Sequence, residues 1–198
     1  MRTCSKLNSI VSRTLMCVLL ASSSSFAHGA APAAHDTGAW RKHQYSFTFM
    51  GFTSTYSCDG LADKLKTLLI AAGARPDAKA LAGPCSQGFG RPDKFARADL
   101  TFYTLAPPGS DKTEGQPVEG SWMPVAIGDR RPREIALGDC ELVEQFKSSV
   151  LPMFTTRNVG YRTTCVPHQE SGSFIDLRFE TFTVPAKDKH PQQAATGP

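Results

Sequence analysis

Past its first thirty residues the chain has no apolar run near the ~20 residues that a membrane-spanning helix needs, so a soluble mature protein is expected. There is no Cys-x-x-Cys pair, which argues against the commonest thiol-exchange motif, and no Gly-x-Ser-x-Gly elbow, which removes the usual signature of a serine hydrolase. Gly88-Phe89-Gly90 is too short to cradle a nucleotide phosphate and no apolar helix follows it. What is present is an ordinary globular mixture over 198 residues, 40% hydrophobic, 20% charged and 9% aromatic.

Charge of one sign is also lacking once the first segment is set apart. Residues 1–27 carry Arg2, Lys6 and Arg13 without an acid, then an apolar block from Leu15 to Leu20, then Ser25-Phe26-Ala27. That is the pattern of a secretory signal peptide, with small residues at Ser25 and Ala27 for cleavage after Ala27. The formal charge of +4 comes from 22 basic and 18 acidic residues. Removing the signal leaves 19 against 18, which gives no concentrated positive face for nucleic acid.

Export changes the meaning of the cysteines. Cys4 and Cys17 leave with the signal, and Cys58, Cys85, Cys140 and Cys165 enter an oxidising compartment, where an even number reads as two disulfides. Ser57-Cys58-Asp59-Gly60-Leu61 and Asp139-Cys140-Glu141-Leu142-Val143 look like copies: a capping residue, a cysteine, acids in the first turn, then apolar residues at helical spacing. Leu61, Leu65, Leu68, Leu69 and Ala72 make one stripe; Leu142, Val143, Phe146 and Val150 make the other. The first helix should stop at Gly73 and the second near Leu151, before Pro152.

Each helix precedes a short extended run ending in a cysteine, Lys79 to Cys85 and Gly160 to Cys165. A helix of roughly 15 residues at ~1.5 Å per residue travels as far as seven strand residues at ~3.3 Å bring it back. The pairs Cys58–Cys85 and Cys140–Cys165, 27 and 25 residues apart, are therefore expected. Alternating runs at Tyr45 to Met50, Leu100 to Leu105 and Ile175 to Phe182 read as strands, and Trp122 to Ile127 leads through Gly128-Asp129-Arg130-Arg131-Pro132 toward Glu134 to Leu137 as a hairpin.

The expected fold class is α+β: two similar strand-helix-strand-strand halves, residues 40–105 and 121–185, with helices on a mainly antiparallel sheet and one disulfide in each half. Residues 106–120, rich in proline, glycine and charge, read as a linker; residues 28–39 and 186–198 read as flexible tails. Two small separate domains are the alternative to a single domain over 40–185.

Candidate chemistry is sparse. Arg130, Arg131 and Arg133 in one turn, with Arg91, are the candidate anion-binding residues, because guanidinium groups fork onto phosphate or carboxylate. No cofactor and no catalytic residue is assigned. Two rivals exist. A mature chain starting His28-Gly29 resembles, over those two residues, exported copper oxygenases that cleave polysaccharides, with the amine and ring of His28 as ligands. Cys58 or Cys140, at helix N-termini, would be the reactive thiol of an exchange protein.

The segments SCDGLADKLK, GFGRPDKFARADLTFYTL and GDCELVEQF resemble an uncharacterised group of exported proteins from Gram-negative bacteria. The resemblance covers most of the mature chain and implies a periplasmic or secreted protein, with no activity or site attached. The expected function is a binding or structural module of the cell envelope, whose partner is another envelope protein, a glycan or a lipid head group.

Overall fold

A computed structural model describes residues 36–52, 54–84, 92–93, 95–166 and 172–185. Its strands are β1 (Asp36–Thr48), β2 (Lys79–Ala82), β3 (Arg97–Ala106), β4 (Thr113–Gly128), β5 (Thr156–Thr164) and β6 (Phe174–Thr183). They form one sheet in the order β2-β3-β1-β4-β6-β5, every neighbouring pair antiparallel. Helix α1 (Cys58–Ala71) lies between β1 and β2, and α2 (Cys140–Ser149) between β4 and β5. The α+β class is as expected, and the described residues belong to a single unit.

Local chemistry sets the helix ends. The Ser57 hydroxyl accepts from the Gly60 N–H at 3.1 Å, and Gly73, at φ +96°, takes the left-handed position after α1. Asp139 was expected to cap α2 in the same way. Its carboxylate makes no bond to that helix and turns instead toward Tyr56 and Lys64. Pro152 lacks an N–H, and past Ser149 the chain continues only as a 3₁₀ turn, Leu151–Met153.

Several boundaries differ from the sequence reading. The strand β4 starts at Thr113, inside the stretch read as a linker, and β1 starts at Asp36, inside the stretch read as a tail. Each supplies the partner of the other: Asp36 pairs with Gly120 and Gly38 with Val118. Gly115 and Pro117 sit where the register shifts between Gly38 and Trp40, which is how a proline-rich segment still makes a strand. Residues 134–137 form no strand, because the turn closes early through Gly128 N–H to the Arg131 carbonyl, 2.8 Å.

One apolar cluster joins both helices to the sheet. Leu61, Leu65, Leu68 and Leu69 of α1 and Leu142, Val143 and Phe146 of α2 are buried against Phe47, Leu100, Phe102, Leu177 and Phe179. Where β1 meets β4, a methyl group on Gly38 would stand 2.7 Å from Leu105 and Phe182, and one on Gly120 would stand 2.4 Å from Leu105. Only glycine lets these two strands approach beneath those side chains.

Trp40 faces Leu105 across β1–β3, and Trp122 faces Phe182 across β4–β6. The shift that carries Trp40 to Trp122 also carries Cys58 to Cys140.

Candidate functional site

The pairing of β1 with β4 runs from Arg41–Thr113 to Asp36–Gly120, so β4 from Ser121 on has β6 on one side and, among the described residues, no strand on the other. Pro124 occupies that open edge, where its missing N–H breaks no ladder bond. The C-terminal end of α1 comes down beside it, and between them lies a groove of about 890 Å³. Ile70, Ala71, Gly73, Met123, Pro124, Val125 and Val184 give it an apolar wall. Ile70, Met123 and Val184 are exposed, each at about two-fifths of its surface.

The two ends of the groove differ. At one end Trp40, Glu119 and Arg75 line it. The Arg75 guanidinium lies 3.7 Å from the centre of the Tyr103 ring and forks onto Asp77 with two 2.7 Å bonds, which keeps its cation paired. That fork raises the Arg75 pKa and lowers that of Asp77. At the other end Ala71, Pro124 and Val125 also line a depression of about 340 Å³ walled by Arg130, Arg131 and Pro132. Apolar wall and arginines are thus continuous.

Thr181 forms part of the groove floor, and its hydroxyl oxygen is buried with no hydrogen-bond partner among the described residues. Thr104, the corresponding position on β3, is fully engaged. Its hydroxyl donates to the Met153 carbonyl at 3.1 Å, so the His43 Nε2–H, 2.9 Å away, donates to it. Burial, with Arg41 alongside, lowers the His43 pKa to about 4 and keeps the ring neutral.

Of the arginines singled out by sequence, Arg130 and Arg131 come together at the groove's end, exposed and without a side-chain partner among the described residues. Arg130 holds a left-handed φ of +54° in that turn. Arg133 is exposed on the same turn but does not line the depression, and Arg91 lies outside the described residues. Beyond Arg131 a cleft of about 330 Å³ also receives Arg162, Arg178, Asp129 and Asp176. There Asp176 accepts from Arg162 at 2.9 Å and Arg178 at 2.7 Å, which holds its carboxyl below the usual range. The sequence reading missed the groove and these two strand arginines.

The described cysteines are disulfide-bonded. Cys140 and Cys165 form a disulfide with Cα atoms 5.5 Å apart, and Cys140 is buried. Cys58 is also disulfide-bonded; its expected partner, Cys85, lies outside the described residues, as does His28. Cys140, Glu144 and Cys165 have metal-ligand spacing, but the two sulfurs are bonded to each other and offer no thiolate.

One buried polar cluster was not foreseen. Asp139 accepts from the Tyr56 hydroxyl at 2.6 Å, from Lys64 at 2.6 Å and from the Ala136 N–H at 2.8 Å, and Lys64 also donates to the Glu134 carbonyl. Burial, reinforced by Asp139, raises the Tyr56 pKa and keeps the phenol a donor. Every partner is satisfied, so the cluster ties the start of α2 to α1 and leaves no nucleophile free. Among the described residues no helix is long and apolar enough to cross a membrane. Compared with known proteins, the chain matches no protein-family model, no curated protein and no solved structure.

Proposed function

We propose that this is an exported, non-catalytic binding module that holds a small apolar ligand in the groove between the end of α1 and β4. The groove carries the reading: its volume is that of an ordinary ligand site, and exposed aliphatic side chains line it. Export rests on the signal-like residues 1–27 and is supported by the Cys140–Cys165 disulfide. It agrees with the resemblance to exported Gram-negative proteins. A Cys58–Cys85 bond completes a matched pair of staples, supported by the disulfide state of Cys58. The two halves are copies of one strand-helix-strand-strand unit, a reading supported by Trp40 facing β3 as Trp122 faces β6 and by the equal spacing of Cys58 and Cys140 from them.

The test uses N-phenyl-1-naphthylamine, a neutral apolar fluorophore, with the exported protein. Saturable enhancement near one equivalent is expected, and Ala71→Met, which puts a long side chain into the groove, should weaken it at least tenfold. An absent signal, or one that survives both Ala71→Met and Val125→Trp, removes the groove as the site. Turnover of an envelope substrate by the pure protein overturns the non-catalytic reading.

A further inference from the structure

The groove does not end in solvent at both sides; on one side its apolar wall runs without a break into Arg130 and Arg131. Resting on the groove reading above, we infer that its ligand is a single-chain amphiphile with a carboxylate head, the chain along Val125 and Met123 and the head against Arg130 and Arg131. Charge fixes the direction. At the far end Glu119 repels an anion, and the Arg75 cation is already taken by Asp77. At the near end the two arginines have no carboxylate partner among the described residues, so their donors are free to fork onto a planar acid.

Asp129, next along the turn, lines the cleft on the other side of Arg131 and not the depression that meets Pro124 and Val125. In that cleft Arg162 and Arg178 share the single carboxylate of Asp176, so their surplus charge adds to the attraction for an anion.

Ligands of one chain length separate the possibilities. Dodecanoate, dodecan-1-ol, dodecyltrimethylammonium and dodecyl phosphate are each titrated against bound N-phenyl-1-naphthylamine. Dodecanoate should displace the probe at a concentration at least tenfold below that of the alcohol, the gain expected of a charge-assisted hydrogen bond. Added salt should shrink the advantage, Arg130→Ala/Arg131→Ala should abolish it, and Arg133→Ala should leave it intact. The cation should bind weakest. Equal displacement by acid and alcohol, or an advantage that survives the double substitution, overturns the inference while the groove stands. Tighter arginine-dependent binding of the phosphate replaces the carboxylate by a phosphate head. Failure of the probe itself to bind wild-type protein removes the groove reading and this one with it.

Discussion

Just past the 3₁₀ turn that follows α2, Phe154 stacks 5.5 Å from Phe102, which in turn stacks 5.1 Å from His43, so three rings pack in a row. Under the register correspondence, the matching positions at the end of α1 are Val125, Phe179 and Ala72. One ring remains where there were three. The flanking residues follow the same trend, Ala71 and Gly73 standing where the other end has Met153 and Thr155. The groove opens at that point, lined by Ala71, Gly73 and Val125. On the duplication proposed above, one backbone frame makes a closed core at one end and an open groove at the other, and side-chain volume decides which.

The strongest way to break this comparison is to empty the filled end. Phe154 is 5% exposed, and Phe154→Ala should cost about 3–5 kcal/mol of stability, the usual range for losing a buried ring. Urea unfolding measures that. If small residues are what open a groove, the variant should also bind a second equivalent of the neutral fluorophore. A full-sized loss of stability with no second site would mean that the groove depends on more than the volume at Ala71–Gly73.

A sharper test uses one substitution at both ends. Thr104 donates to Met153 and accepts from His43, and Thr104→Val strands both partners, at a cost of about 1–3 kcal/mol. Thr181 has a buried hydroxyl without a partner among the described residues, and Thr181→Val removes an unmet polar group. Its expected effect is within about 1 kcal/mol and of stabilising sign. Equal losses at the two sites would show that the Thr181 hydroxyl is in fact satisfied.

The frame was legible in the sequence because it rests on periodicity. The leucine stripe of α1, the alternation of β6 and the paired cysteine segments each have a spacing that only one kind of element supports. Composition misled at the centre of the sheet: Gly115 and Pro117 read as a linker, yet they sit at a register shift in β4. The site was harder to see. Ala71-Ala72-Gly73 looks like a plain helix end, and its meaning emerges only when set against Met153-Phe154-Thr155. Arg130 and Arg131 were visible as a charged turn, but nothing local says that the end of α1 reaches them. Asp139 had the right type and position for a cap, and tertiary partners claimed its carboxylate.

A last test separates the two ends by pH. His43 belongs to the filled end alone, since Val125 holds the matching place. Its pKa is about 4 in the fold against 6.5 in an ordinary chain. Between those values the unfolded chain takes up a proton that the folded ring refuses, so stability rises with pH across this window and is lost as pH falls through it. Above about pH 6.5 both states are neutral and the contribution is flat. Carboxylates such as Asp77, whose pKa is lowered by Arg75, add a slope of the same sign at lower pH, so the wild-type curve alone does not isolate the histidine. His43→Gln keeps an N–H donor toward Thr104 and removes the titration. Urea midpoints at pH 4.5, 5.5 and 7 should therefore converge for the two proteins as acid is added, wild type losing its lead. Parallel curves would mean that the half-buried His43 is not held neutral against Phe102, and that the filled end is looser than its stacked rings imply.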